Sequence, residues 1–287
     1  MSLESLLVTF EPHPLAIVNP ADAPPILTVG DEKLEIVAES GITYMGIVPF
    51  TPRLMSYGPR EFVDRVLVRR FGVRHLVIGY DHGFGRGREG DVDLLRELGE
   101  EHRFGVDVVP ALNLANGQAI SSTLIRRAVA AGDLELAAEA LGRRYSISGQ
   151  VVRGDQRGRT LGFPTINLSP APPMKLLPPG GVYAVRVQTP AGPFGGMMNL
   201  GARPTFDDPV SAIEVHLFDA AVDLYGAAVR VDFFARIRDT RRFANVEALI
   251  AQLRIDAEES TSALTLLNTR TKVRDSSRSV ISSQVAS

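Results

Sequence analysis

The sequence has no cysteine, no long run of apolar residues and almost no net charge. The absence of cysteine excludes disulfides, a thiolate nucleophile and a cysteine-bound metal. No window approaches the roughly 18 apolar residues of a membrane-spanning helix, and residues 1–10 lack the basic start and apolar core of a signal peptide. A net charge of −2 gives no electrostatic reason to expect nucleic acid or an anionic membrane as a partner. These absences predict a cytoplasmic protein.

The first half of the chain has the pattern of an α/β domain. At 287 residues the chain is long enough for two domains. Residues 1–142 alternate short apolar runs with segments of helical apolar spacing, which indicates a parallel sheet. The predicted strands are 6–10, 44–48, 75–79 and 106–109. The predicted helices are 31–40, 59–71, 123–131 (capped by Ser121 or Ser122 and stopped near Gly132) and 133–141.

From residue 145 onwards the pattern changes to strands with period-two alternation. These are residues 145–152, 182–187, 213–218 and 229–234, and turns rich in proline and glycine separate them at 169–173 and 189–196. This pattern is typical of an antiparallel barrel. Residues 243–259 have the apolar spacing of one amphipathic helix. We therefore predict an all-β domain with a C-terminal helix over 143–267, followed by a disordered tail over 268–287.

Residues 154–167 contain the most informative pattern, a loop with three glycines at a spacing of four. Gly154, Gly158 and Gly162 leave the backbone free to approach a bulky anion, and backbone N–H groups in such loops cradle phosphates. Arg157 and Arg159 lie inside the loop, and arginine neutralises phosphate with a planar fork. The pattern predicts a site for the phosphates of a nucleotide.

A hydroxyl and an amide follow this loop two residues apart. Thr165 and Asn167 offer neutral oxygens of the kind that Mg²⁺ accepts beside substrate phosphates. In a strand both side chains lie on one face, and Ile166 between them lies on the other. We therefore expect Thr165 and Asn167 to be the magnesium ligands.

The run from residue 154 to 167 resembles the signature of the riboflavin kinase family, G-x-x-x-G-R-x-L-G-F-P-T-A-N, with Ile166 in place of alanine. Residues 180–183 resemble its PGVY turn, residues 199–206 its N-I-G-x-R-P-T-F segment, and residues 214–219 follow at the right distance. The resemblance implies a β-barrel enzyme that transfers the γ-phosphoryl of ATP to the 5′-hydroxyl of riboflavin and gives FMN. It implies ATP, Mg²⁺ and riboflavin as the small molecules bound.

Glu214 has two interpretations. The strand alternation directs Ile213, Val215 and Leu217 to the core, so that Glu214 alone is more simply a solvent-facing carboxylate. The resemblance implies instead that Glu214 is the catalytic base, because it matches the glutamate of the family's E-V-H strand. His216 lies on the same face and is interpreted as structural.

Residues 236–243 resemble the loop and helix start of the same family, I-R-x-E-x-x-F. Arg238 matches the arginine that helps to close the flavin and nucleotide sites. Thr240 stands where the family usually has glutamate, so the ordering that this carboxylate provides is lost or replaced here. Asp256 falls in the family's Q-x-x-x-D position of the last helix and is interpreted as structural.

The first half resembles the FMN adenylyltransferase domain of bacterial FAD synthetases. Residues 9–14 match T-F-E-P-H-P, residues 79–91 match G-x-D-F-x-F-G…G-D with His82 in place of phenylalanine, and residues 120–126 match I-S-S-T-x-I-R, which contacts ATP phosphates at a helix N-terminus. The residues that the resemblance assigns to this site are Asp81, Ser121, Ser122, Thr123 and Arg126.

One family segment has no counterpart here. The family begins with a strand followed by G-x-F-D-G-x-H-x-G-H, whose histidines bind the transferring phosphates of ATP, and none of the five histidines falls in an H-x-G-H pattern. A sheet without that strand has exposed edges. We therefore expect a truncated, Rossmann-like domain whose adenylyl transfer is lost or severely impaired.

Three hypotheses follow. The first is a riboflavin kinase with an impaired adenylyltransferase domain. The second is a fully bifunctional enzyme whose true start lies upstream of Met1. The third is a non-catalytic flavin- or nucleotide-binding regulator, and the set of Thr165, Asn167 and Glu214 argues against it because a binding protein needs no base. The oligomeric state stays open.

Overall fold

The computed structural model describes residues 3–154, 157–201 and 213–284, with side chains through residue 266. The chain divides into two compact units, one made of Met1–Pro24 and Lys33–Ile120 and the other of Pro25–Glu32 and Ser121–Ser287. The predicted domain boundary follows residue 142. The compact units divide the chain at Ser121, and the domain boundary after residue 142 stays a prediction.

The four strands predicted in the first half are all present. Strand β1 (Leu6–Glu11) pairs in parallel with β2 (Tyr44–Pro49), and β3 (His75–Gly79) pairs in parallel with β4 (Gly105–Val109). They form two separate two-stranded sheets rather than one. The α/β character predicted for this part of the chain is confirmed.

Short helices connect these strands. They are α1 (Pro14–Val18), α2 (Gly30–Glu39), α3 (Pro52–Met55), α4 (Pro59–Phe62) and α5 (Val92–His102), with 3-10 turns at Pro20–Asp22 and Arg86–Arg88. The predicted helix 59–71 is α4 continued as a π-helix over Val63–Val68. One face of this segment is buried with side chains of β3 and α5, and the buried residues of that core are Val63, Leu67, Ile78, Phe84, Leu95, Leu98 and Phe104.

Two capped helices begin the second unit. Helix α6 (Ser122–Ala131) is capped by the Ser121 hydroxyl, which accepts a hydrogen bond from the Leu124 N–H at 3.2 Å. It ends at Gly132, whose φ of 78° suits glycine. Helix α7 (Leu134–Leu141) is capped by Asp133 in the same way and ends at Gly142. Both predicted helices are confirmed.

The rest of the second unit is a closed antiparallel barrel, as predicted. Its strands run in the order β10-β5-β6-β9-β8-β7. They are β5 (Ser146–Val152), β6 (Ile166–Leu168), β7 (Gly181–Thr189), β8 (Gly192–Leu200), β9 (Ile213–Leu217) and β10 (Ala228–Arg238). Alternate side chains fill the interior: in β9, for example, Ile213, Val215 and Leu217 are buried while Glu214 and His216 are only half-buried. The short helix α8 (Arg157–Thr160) lies in the glycine loop.

Strand β8 corrects the sequence-based prediction, which assigned residues 189–196 to a turn. The turn itself consists of Pro190 and Ala191, and Gly192, with φ of 110°, begins β8 directly after it. Gly195 and Gly196 are strand residues, and a Cβ at Gly196 would lie 2.6 Å from the His216 carbonyl oxygen. These glycines therefore allow close packing within the barrel rather than chain reversal.

Helix α9 (Val246–Gln284) follows the barrel, and the Asn245 side chain caps it by accepting from the Ala248 N–H at 2.8 Å. The helix continues past residue 267, whereas the sequence predicted a disordered tail over 268–287. No proline or glycine interrupts residues 246–284. Among the described residues, no helix has the combination of length and apolar character needed to cross a membrane.

A buried ion pair ties the segment Pro25–Glu32 to the barrel. The Lys175 Nζ donates to Glu32 Oε2 at 2.6 Å, to the Leu27 carbonyl at 2.7 Å and to the Ser146 carbonyl at 2.8 Å. The two charged side chains are only 1% and 3% exposed. Burial lowers the pKa of Lys175 to about 8, although the Glu32 carboxylate raises it. All three ammonium protons have acceptors, which makes this burial tolerable.

Candidate active site

A cleft of about 410 Å³ opens in the second unit, between the barrel and α9. It brings together residues that the sequence analysis selected from four separate motifs. The selected residues that line it are Gly158, Thr165, Asn167, Glu214, Arg238, Thr240 and Asp256.

The strand register explains how these residues meet. Glu214 on β9 lies directly opposite Asn167 on β6 and opposite Asn199 on β8. Asn199 pairs in turn with Val182 on β7, which pairs with Arg238 on β10. Partners in register point to the same face of a sheet. One row of side chains therefore crosses five adjacent strands and lines the cleft.

Two positions of the glycine loop leave little room for a Cβ atom, because neighbouring atoms approach the backbone there closely. A methyl group at Gly154 would overlap the side-chain amide of Asn167. A methyl group at Gly158 would overlap the Phe163 carbonyl oxygen and lie 3.3 Å from the Thr165 hydroxyl. Gly162 has open space around it but a φ of 81°, which favours glycine. The glycine loop thus packs directly on Thr165 and Asn167.

The two loop arginines differ in position. Both are exposed, but Arg157 lines the cleft and Arg159 is not among its lining residues. Gly154 and Gly162 likewise lie outside the lining set. Of the loop residues predicted to bind phosphate, Arg157 and Gly158 line the cleft.

Arg238 is fixed by a buried carboxylate. Its Nε and Nη2 donate to the two oxygens of Asp256 at 2.8 and 2.6 Å, and Asp256 is fully buried. Gln252 donates to the same carboxylate at 2.7 Å. The guanidinium groups of Arg238 and Arg241 lie 5.7 and 5.0 Å from the ring of Phe243. This network holds the residues after β10 against α9, and Asp256 is structural in the sense that the sequence analysis gave it.

A second arginine braces the turn that precedes β7. Arg236 donates to the Gly180 carbonyl at 2.8 Å and to the Tyr183 hydroxyl at 3.3 Å. The Tyr183 hydroxyl itself donates to the Pro179 carbonyl. Burial raises the pKa of Tyr183, with Arg236 acting in the opposite direction. The Gly-Gly-Val-Tyr motif is therefore a braced turn that positions the start of β7.

His216 also lines the cleft, two residues after Glu214. Its Nδ1 lies 2.8 Å from the Pro164 carbonyl oxygen. Its ring packs edge-on against Phe163 at 5.3 Å and against Phe218 at 5.8 Å.

The oxygen donors in the cleft suit a magnesium ion. The Thr165 hydroxyl, the Asn167 amide and the Glu214 carboxylate all line it, and oxygen is the donor that Mg²⁺ prefers. The described residues contain no group of three or more histidine, cysteine, aspartate or glutamate side chains that could hold a metal. These donors therefore fit an ion that takes its remaining ligands from phosphates and water.

The sequence analysis missed the apolar wall of the cleft. Its side chains come from β7, β8 and the region of α9, and they are Val182, Met197, Met198, Phe243, Leu249 and Leu253. Alternation and helical spacing assign most of these to the core, so no sequence signal separates them from ordinary core residues. Asn199 was quoted only as part of a motif, whose residues 202–206 lie outside the described part of the chain.

The residues assigned to adenylyl transfer fall in both units. Asp81 follows β3 in the first unit, and its carbonyl accepts from Arg88 at 3.0 Å. Ser121, Ser122, Thr123 and Arg126 lie at the start of α6 in the second unit. Arg126 donates to the Pro25 carbonyl at 2.8 Å, and burial lowers its pKa.

Each half of the chain matches one family model. The riboflavin kinase model matches residues 141–264, and the FAD synthetase model matches residues 1–124. The chain therefore has one domain of each of two enzyme classes.

Relatives carry both domains in one chain. The bifunctional riboflavin kinase/FMN adenylyltransferase of Escherichia coli K12 is 40% identical over 259 residues, covering 89% of this chain and 81% of the relative. The protein of the same name from Bacillus subtilis is 33% identical over 258 residues, with 88% and 80% covered. The chain belongs to the bifunctional riboflavin kinase/FMN adenylyltransferase family.

A solved structure shares the fold over most of the chain. The crystal structure of a macrolide-efflux protein from Streptococcus pneumoniae superposes with a TM-score of 0.77 and 30% identity, covering 91% of this chain and 84% of that chain. Most of this chain therefore has a counterpart of similar fold in an experimental structure.

Proposed function

We propose that the second unit is a riboflavin kinase that transfers the γ-phosphoryl of ATP to the 5′-hydroxyl of riboflavin. The observation that carries this proposal is the meeting of Thr165, Asn167 and Glu214 in one cleft. A binding protein needs no carboxylate beside its magnesium ligands, whereas phosphoryl transfer to a hydroxyl needs a base. Membership of the family supports riboflavin and ATP as the substrates.

The polar end of the cleft binds the phosphates. Thr165 and Asn167 would hold a Mg²⁺ ion, which neutralises phosphate charge when bound. Arg157 adds positive charge, and the backbone at Gly158 approaches the phosphates closely because it has no side chain. Gly154 leaves room for the Asn167 amide, and Gly162 allows the loop a backbone conformation that favours glycine. Since Arg159 is not among the residues that line the cleft, we assign it no contact with substrate in this conformation.

The apolar wall accepts the flavin ring, and Glu214 acts on the hydroxyl. The Glu214 carboxylate takes the proton of the ribityl 5′-hydroxyl as that oxygen bonds to the γ-phosphorus. The bond from the γ-phosphorus to the bridging oxygen breaks, and its electron pair leaves with ADP. Arg238, fixed by Asp256, closes the cleft beside Phe243 and excludes water from the reacting groups.

The first domain is proposed to act on the product. Its match to the FAD synthetase family supports transfer of an adenylyl group from ATP to FMN, which releases pyrophosphate. The cytoplasmic location and the restriction to small-molecule substrates stay predictions.

Chromatography of flavins tests both steps. The purified chain is incubated with riboflavin, ATP and Mg²⁺, and riboflavin, FMN and FAD are separated. We expect FMN to form from riboflavin, and the FAD peak measures whether adenylyl transfer follows. The Glu214→Gln protein, purified identically, controls for contaminating kinase. Absence of FMN would overturn the kinase proposal, and absence of FAD would overturn the proposed adenylyl transfer.

A further inference from the structure

We propose that His216 is a positioning residue that orients Thr165 for the phosphates. The inference rests on the proposed function, because it assigns His216 to the magnesium and phosphate end of the same cleft. It goes beyond the sequence analysis, which treated His216 as an ordinary structural histidine. It concerns one peptide group, the one that joins Pro164 to Thr165.

The hydrogen bond defines the tautomer of the ring. The Pro164 carbonyl oxygen, 2.8 Å from His216 Nδ1, can only accept, so Nδ1 carries the proton and donates it. The carbonyl belongs to the same planar peptide group as the Thr165 N–H. The hydrogen bond that fixes this carbonyl therefore also fixes the orientation of the peptide plane next to Thr165, and with it the direction of the Thr165 side chain.

The opposite side of the segment is held by the glycine loop. The Phe163 N–H donates to the Gly158 carbonyl at 2.8 Å. The missing side chain at Gly158 lets the loop approach the Phe163 carbonyl and the Thr165 hydroxyl. Phe163–Thr165 is thus held between the loop and His216. Loss of the His216 contact removes one of the two restraints on the peptide before Thr165.

Ring contacts keep His216 in place. It packs edge-on against Phe163 and Phe218, with interplanar angles of 70° and 73°. The side chain has two separable features, an aromatic ring and an Nδ1 donor. Two substitutions separate them. His216→Phe keeps the ring and removes the donor, whereas His216→Asn removes the ring and offers its amide Nδ2 at the position of Nδ1.

Steady-state kinetics of the two variants distinguish positioning from packing. We expect His216→Phe to raise the KM for Mg²⁺–ATP by about threefold to tenfold, the factor expected for one net hydrogen bond. The KM for riboflavin should change less than twofold, as riboflavin lies on the apolar side. We expect His216→Asn to restore most of the affinity for Mg²⁺–ATP, within about twofold. Equal effects of both variants on both substrates would overturn the inference, as would unchanged kinetics in His216→Phe.

A second measurement does not depend on turnover. In ¹H–¹⁵N correlation spectra of the full chain at pH 8, the His216 ring should show a protonated Nδ1 and an unprotonated Nε2, and the signal is assigned by its loss in His216→Asn. A ring protonated at Nε2 alone would overturn the inference even in an active enzyme. If the wild-type chain makes no FMN while the Nδ1 signature is present, the proposed function fails and the contact stands.

Discussion

Asn167 and Glu214 lie directly opposite each other across the antiparallel pair of β6 and β9. Asn199 flanks Glu214 on the other side, on β8. The proposed base therefore lies between two amides, one strand away from a proposed magnesium ligand. This arrangement places the proton acceptor beside the phosphate end of the cleft, where the hydroxyl has to meet the γ-phosphoryl.

Glu214→Gln should lower kcat by about 10²–10⁴-fold, the range expected for loss of a general base. Gln has nearly the same shape and still hydrogen-bonds to the hydroxyl, so the Kd for riboflavin should change little. Fluorescence titration and steady-state kinetics measure the two quantities separately. Glu258→Gln, on an exposed position of α9, is the control and should change neither. If kcat stays within about threefold of the wild type, far less than a base contributes, Glu214 is not the base.

Gly154→Ala should reproduce the effect of Asn167→Ala without changing any proposed ligand. The added methyl group would overlap the Asn167 amide, so that this amide has to move away from the metal. We expect both variants to require more Mg²⁺ for half-maximal activity and to retain the folded barrel. The control is Gly58→Ala, where a Cβ meets nothing within 4 Å. If Asn167→Ala has the same Mg²⁺ dependence as the wild type, Asn167 is not a magnesium ligand.

Asp256→Asn should destabilise the second unit by about 3 kcal/mol, because removal of one partner from a buried pair leaves the other charge uncompensated. Arg238 would lose its fixed position, and we expect kcat to fall together with the melting temperature. Asp239→Asn makes the same change to a carboxylate that is 80% exposed and pairs with Arg236. This control should cost less than about 1 kcal/mol. Similar melting temperatures for the two variants would contradict the proposed role of Asp256.

Lys175→Met should lower the free energy of unfolding by about 3–5 kcal/mol, since it leaves the Glu32 carboxylate buried without a counter-charge. The double variant with Glu32→Gln removes that charge and should recover part of the loss. Urea denaturation of the single and double variants measures the coupling. Lys33→Met, at a partly exposed neighbouring position, should have a small effect. If the double variant is less stable than Lys175→Met, the unpaired Glu32 charge is not the cause of the lost stability.

Much of the fold follows from periodicity, and the failures have physical causes. Strands β3 and β5 and helices α6 and α7 were predicted to within one residue, because alternation and caps act locally. The glycine-rich β8 was not, since a glycine needed for close packing and one needed for a turn look alike in sequence. The π-helix that continues α4 and the long helix α9 also lack a local signal that sets their ends.

The candidate site was predicted in part. Motif spacing identified Thr165 and Asn167, and the family resemblance implied Glu214; strand register then brings the three together in the cleft. Motif spacing could not separate Arg157 from Arg159, because which arginine faces the cleft depends on how the loop packs. The apolar wall and the contact between His216 and Pro164 are properties of tertiary packing, and no short pattern carries them.

The closed barrel has a consequence for synthesis on the ribosome. Strand β10 is the last to be made, and it completes the ring by pairing with both β5 and β7. Until residue 238 has emerged, the nascent chain carries unpaired strand edges that a chaperone can cover. Asp256, which fixes Arg238, emerges later still. The cleft is therefore assembled only after residue 256 has emerged, and a chain whose synthesis stops earlier lacks it.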